Sequence, residues 1–390
     1  MDDVFTIDLP RSDIVFTRYL YRKDEVRIAL VAALLNQSKH AIFWAYELYF
    51  SGFVNELAQL IVQIYYDFYA TQNTRWSVYL KKQLDCLRSR PTTRRLLEKR
   101  HCAVGSIIEN LLKQKASTDV FLLRTIHCRF EINSGDESPS HMATRIIEYM
   151  TQKNYLGLGA FILDMHNMSE LYDAFDACLS RLNPNMTAKD VKRRIKEMRT
   201  DIGLFENMVR PSILVLSHLL NAIQGNELPS RGYLRYTPKK LEPYFALYPT
   251  DTNSLHDEAS LSVDEYDMLS LFDVARKYMH RNAQMHIYNN DWLYQASFSP
   301  TWLNRIKRMR GWVDYSSKRV KFISDANEDA FYDAFDYEPD EQTMETKMRA
   351  NPILKTKGDW SVFVSKYATD NIVKIPEEYI DELGEEQIVY

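Results

Sequence analysis

The chain has 390 residues, 45% of them hydrophobic and 26% charged, and a formal net charge of −4. That length accommodates two or three domains of globular composition. A net acidic chain lacks the strongly basic field that wraps nucleic acid nonspecifically, so only a local basic patch would bind it.

Only 11 residues are glycine, against 25 Tyr, 18 Phe and 14 Met. Few glycines suit helices joined by short loops. Tyrosine combines apolar area with a polar tip, which interfaces favour, although an A/T-rich base composition would also raise it. The four cysteines, Cys86, Cys102, Cys128 and Cys178, show no Cys-x-x-Cys spacing, and the opening MDDVFTIDLP carries no secretory hydrophobic region. Reduced thiols in a cytosolic setting are therefore expected. The longest apolar runs, 28–35 and 213–216, fall far short of the ~20 residues that span a bilayer. No membrane insertion is expected.

From Asp24 to about Met285 apolar residues recur at three- and four-residue spacing, which predicts helices. Val26, Leu30, Ala33 and Leu34 form the first stripe, Ser38 is placed to cap a second helix, and Gly52 stands where a left-handed terminus is wanted. The second helix is the most aromatic stretch of the chain, 41–53, and Ile64-Tyr65-Tyr66-Asp67-Phe68-Tyr69 answers it on the third. Consecutive helical residues point about 100° apart, so Phe43, Trp44 and Tyr46 must present more than one face. One face is expected on the third helix through Leu57, Ile61 and Ile64, and the other on a later helix or a partner. These three aromatics are interaction candidates.

Further helices are expected near 75–88, 104–115, 118–131, 140–152, 169–182 and 188–209, the last behind a Thr187–Asp190 capping pattern. Pro211 should kink or restart the segment 200–224. The expected organisation is a helical domain over 1–225, a proline-rich connecting loop over 226–261, a smaller helical domain over 262–345 and an acidic tail over 346–390 with weak strand signals from Gly358. In the smaller domain, Ser262-Val263-Asp264-Glu265 opens a helix, and 312–315 with 319–322 reads as a short hairpin around Ser316-Ser317-Lys318. No period of 20–50 residues marks a solenoid. The fold class is mainly α, an irregular array of helical hairpins with a small α+β C-terminal subdomain.

Catalytic templates are missing: there is no phosphate-binding Gly-x-x-x-x-Gly-Lys-Ser/Thr, no Gly-x-Ser-x-Gly and no His-Glu-x-x-His. Gly157-Leu158-Gly159 lies inside the apolar run 156–163 and reads as a close helix-packing site. Cys86, His101-Cys102 and His127-Cys128 offer soft ligands, but they sit in helical segments far apart rather than in the close pairs of structural zinc sites. Asp164-Met165-His166 and His280 with His286 lack an evident partner for proton transfer. No cofactor, metal or catalytic residue is expected.

Two basic segments are interaction candidates. The first runs from Trp302 through Arg305, Arg308 and Trp312 and is extended by Arg319 and Lys321. Arginine and tryptophan there could pair with phosphates or stack on bases. The favoured reading is instead that the acidic stretch 325–341 neutralises it within one small C-terminal subdomain, so binding of nucleic acid is not the expected role. The second is the loop around Arg231 and Arg235, followed by Lys239-Lys240. Beyond Pro339, Asp340 and Glu341 should project as an acidic corner, because proline biases the preceding residue away from the helical region.

Two stretches resemble a family of nucleocytoplasmic large DNA viruses. One runs from Arg22-Lys23-Asp24-Glu25-Val26 through Ala41-Ile42-Phe43-Trp44-Ala45-Tyr46-Glu47-Leu48 to Tyr65-Tyr66-Asp67-Phe68-Tyr69. The other runs from Trp292-Leu293-Tyr294 through Phe298-Ser299-Pro300-Thr301-Trp302-Leu303 to the acidic segment 331–342. Together they cover roughly a third of the chain, and the family carries no activity to transfer to any residue. The resemblance implies a non-enzymatic protein of the virus particle, assembled in the host cytoplasm: a minor capsid or assembly component with other viral structural proteins as partners. The alternative is a helical adaptor in viral transcription or replication, contacting nucleic acid or a polymerase through 302–321.

Overall fold

The computed structural model describes residues 15–129, 142–182, 187–225, 233–244, 292–335 and 360–385. Among them the chain is mainly helical, as expected, with 17 α-helices and one two-stranded antiparallel sheet. In chain order these are α1 (Lys23–Leu35), α2 (His40–Phe50), α3 (Val54–Phe68), α4 (Trp76–Arg88), α5 (Arg94–Leu111) and α6 (Asp119–Arg129). After these come α7 (Met142–Gln152), α8 (Tyr155–Asp164), α9 (Met168–Leu182), α10 (Ala188–Phe205), α11 (Pro211–Gln224) and the single turn α12 (Pro238–Leu241). The remainder are α13 (Trp292–Ala296), α14 (Pro300–Arg308), β1 (Gly311–Asp314), β2 (Arg319–Phe322), α15 (Asp325–Phe335), α16 (Trp360–Tyr367) and α17 (Glu377–Glu385).

Local chemistry explains most boundaries. Gly52 adopts φ +93° after α2, and Pro211 occupies the first turn of α11, so the segment 200–224 restarts rather than kinks. The cap expected before α10 is in place: the Thr187 hydroxyl accepts from the Asp190 N–H at 3.2 Å. Two expectations are corrected. The fifth helix begins at Arg94 rather than near 104, because the Thr93 hydroxyl accepts from the Leu96 N–H and caps it there. The C-terminal region forms α16 and α17 rather than strands, since Trp360 and Phe363, one helical turn apart, both pack on Phe121. The helix expected from Ser262 lies outside the described residues.

The chain divides into two compact units that interleave in sequence. One is drawn from Met1–Leu57 and Pro238–Gly358, the other from Ala58–Thr237 and Asp359–Tyr390. One change of unit, at Thr237/Pro238, falls within the connecting loop expected at 226–261, and each unit also draws a segment from the other side of that loop.

In the first unit α2 is the central element, with Ala41 through Tyr49 all buried. A helix apolar all round is an interior helix. Phe43 and Trp44 lie against Tyr19 and Tyr21, and Tyr46 stacks on Tyr244 with ring centroids 4.9 Å apart. The run does present several faces, as its period requires, and the chain itself covers them. As interaction candidates Phe43, Trp44 and Tyr46 are thus corrected: they are core residues, at most 3% exposed.

The second unit contains the antiparallel pair α4–α5 and the packed set α6 to α11. A buried network runs through it: the Tyr66 hydroxyl and the His218 ring both bond Asp201 Oδ2, at 3.1 and 2.8 Å. Its C-terminal segment is tied in by the Asp119 carboxylate, which accepts from the Val373 N–H at 2.9 Å, and by Asn371 on Thr118. At Gly159 an added Cβ would stand 2.7 Å from Leu123, which makes it the close helix-packing point expected.

Candidate binding surface

The start of α14 is clamped onto the turn that follows α2. The Ser51 carbonyl accepts from the Ser299 hydroxyl and the Thr301 N–H, and the Phe50 carbonyl accepts from the Thr301 hydroxyl at 2.6 Å. Trp302 is fully buried and its indole N–H donates to the Thr17 carbonyl. Beneath this clamp, Arg18 forms a buried ion pair with Glu47 at 2.8 Å, and the other Glu47 oxygen accepts from the Tyr19 N–H.

From this anchored point α14 leads into the hairpin. Arg305, expected to contact a partner, is buried: its guanidinium lies over Trp302 at 4.3 Å and Phe335 at 5.0 Å. Trp302 and Arg305 are therefore corrected from surface candidates to core, because their helix face turns inward with Ile306. Arg308 and Trp312 are exposed, Trp312 to 49%.

The strand register pairs Gly311 with Phe322, Trp312 with Lys321, Val313 with Val320 and Asp314 with Arg319. Directly paired residues share a face and alternate along the strand. One face thus carries Gly311, Val313, Val320 and Phe322, and Phe322 packs on Phe331 of α15 at 5.2 Å. The opposite face carries Trp312, Asp314, Arg319 and Lys321. Tyr315 in the turn and Ile323 after β2 are also open, at 41% and 63%. Asp314 orders the turn: it pairs with Lys321 at 2.6 Å and accepts from the Ser316 and Ser317 N–H groups. Its hydrogen bond from Lys321, then those from the serines, hold its carboxyl well below the usual range.

Lys307, Arg308, Arg310, Lys318 and Arg319 are all exposed, and none forms an ion pair among the described residues. Over 325–335 the expected neutralisation does not occur: Asp325, Glu328, Asp329 and Asp333 of α15 are exposed and bond none of these cations, and 336–341 lie outside the described residues. Geometry is the reason, since α15 packs on the opposite face of the hairpin through Phe331.

The other candidates are placed as follows. Arg231, Asp340 and Glu341, with His280 and His286, lie outside the described residues. Arg235 is exposed on a loop pinned to its own unit, where Asn110 brackets Leu234 with bonds of 3.0 and 2.9 Å and Tyr236 is buried against Gly105. Asp164 does have a partner, His127 Nε2 at 2.5 Å, and among the described residues no group of three His, Cys, Asp or Glu side chains could hold a metal. A second cationic surface, at the α4–α5 connection, escaped the sequence reading. Its signal was the density of charge between 88 and 100, six cations against one anion.

Comparison with protein-family models, curated proteins and solved structures finds no match to the chain.

Proposed function

We propose that this is a non-enzymatic binding protein of a large DNA virus that engages single-stranded nucleic acid through the outer face of the 311–322 hairpin. The observation that carries this reading is the pair of open rings, Trp312 and Tyr315, set among five exposed cations that form no ion pair among the described residues. Unstacked bases offer their faces to such rings and their phosphates to the cations, a combination a duplex does not present. The carboxylates of α15 disfavour approach of a polyanion from the opposite side. The viral setting rests on the resemblance alone. A particle-component role shares that support, but the aromatic helix that would have served as its contact surface is interior.

Fluorescence anisotropy with a single-stranded oligonucleotide tests the reading. Binding should weaken with salt, because cation–phosphate contacts release counterions. Trp312→Ala should weaken it by roughly 5- to 150-fold, the equivalent of one base stack. Arg308→Ala and Arg319→Ala should each flatten the salt dependence. No measurable binding by the intact chain at low salt would overturn the proposal.

A further inference from the structure

The connection between α4 and α5 is a short tip, 89–93. Beneath it Leu84, Leu87, Val104 and Ile107 are buried, and the Arg100 side chain reaches across to donate to the Leu87 carbonyl at 2.7 Å. At the tip Arg88, Arg90, Arg94, Arg95 and Lys99 are all exposed. Arg94 pairs with Glu98 at 3.3 Å, and the other four have no ion pair among the described residues. Among these cations stand two adjacent aliphatic side chains in the first turn of α5, Leu96 at 43% and Leu97 at 39% exposure. The Thr93 cap fixes that turn, so the leucines are held outward rather than frayed.

We propose that this tip binds the surface of an anionic lipid bilayer. The guanidinium groups would take the phosphate and carboxylate oxygens of the headgroups, and Leu96 with Leu97 would enter the boundary between headgroups and acyl chains. The leucine pair is what separates this occupant from a nucleic acid. A phosphate backbone has no apolar layer to receive two aliphatic side chains, and the tip residues 88–100 include no aromatic ring on which a base could stack. Since no described helix is long and apolar enough to cross a membrane, the attachment is peripheral. This site is in the other unit from the hairpin and does not depend on what the hairpin binds.

The test is co-sedimentation of the full chain with phosphatidylcholine vesicles, with and without phosphatidylserine. Binding is expected only where phosphatidylserine is present. Each of Arg88→Ala, Arg90→Ala and Arg95→Ala should lower the partition coefficient roughly fivefold. Leu96→Ser with Leu97→Ser should lower it about tenfold with the net charge and the helical circular dichroism unchanged. Absence of binding to phosphatidylserine vesicles overturns the proposal. So does binding indifferent to the leucines, or binding of duplex DNA through these arginines with no vesicle binding.

Discussion

The indole N–H of Trp302 donates to the backbone carbonyl of Thr17 across 3.1 Å and 285 positions of sequence. Both groups are buried, so neither has water as an alternative partner. Trp302→Phe keeps most of the ring volume and removes the donor. The Thr17 carbonyl keeps the Leu20 N–H at 3.1 Å, so urea denaturation should show only the net worth of one hydrogen bond, a loss of about 0.5–1.5 kcal/mol. An unchanged midpoint would mean that the Leu20 N–H alone satisfies the carbonyl.

Gly52 combines a left-handed backbone with a close neighbour. A Cβ built there stands 2.6 Å from Cβ of Pro300. Gly52→Ala should therefore cost more than the ~1–2 kcal/mol of the left-handed conformation alone. Gly225, also at positive φ but with nothing within 4 Å, is the control. Its alanine variant should lose only the conformational part, and thermal melts of the two variants make the comparison.

Arg18 and Glu47 form a pair that is almost wholly shielded from water, at 4% and 0% side-chain exposure. Removing one member strands the other charge, so Arg18→Ala should destabilise by about 3–5 kcal/mol. Replacing both with apolar residues of similar size, Arg18→Met with Glu47→Leu, should cost less than the sum of the single changes. The Tyr19 N–H would still lose its acceptor, so full recovery is not expected.

The four thiols should separate by reactivity. Cys128 is exposed and should react first with a thiol reagent at neutral pH. Cys86 and Cys102 are half-buried, and burial raises both thiols, so they should follow more slowly. Burial pushes Cys178 up to about 12, and it should react only when the protein unfolds. Mass spectrometry of a labelling time course reads the order directly.

The hairpin, though its first strand is Gly311–Asp314 rather than 312–315, the turn at Gly52 and the break at Pro211 were legible because each depends on residues within a few positions of one another. Arg305 was misread for the opposite reason. Its charge marks it as a surface residue, and the rings that cover it include Phe335, thirty positions on. The cover over Tyr46 is Tyr244, equally invisible to local pattern. Neutralisation of the hairpin by α15 looked compelling from proximity in sequence, yet α15 packs on Phe322, on the face opposite Arg319 and Lys321. The α4–α5 tip was within reach, since Pro91-Thr92-Thr93 followed by two arginines marks a helix start, but the helical period alone placed that start too late.

The clamp at Ser299–Trp302 also has a temporal side. During synthesis the Thr301 hydroxyl reaches the ribosome exit 251 positions after the Phe50 carbonyl it will bond. At ~5–20 residues per second that is a wait of roughly 12 to 50 s. Throughout it the most aromatic helix of the chain lacks its final cover. The nascent protein is thus at its most adhesive early, and a ribosome that stalls before residue 292 releases a product prone to aggregate or to be held by chaperones.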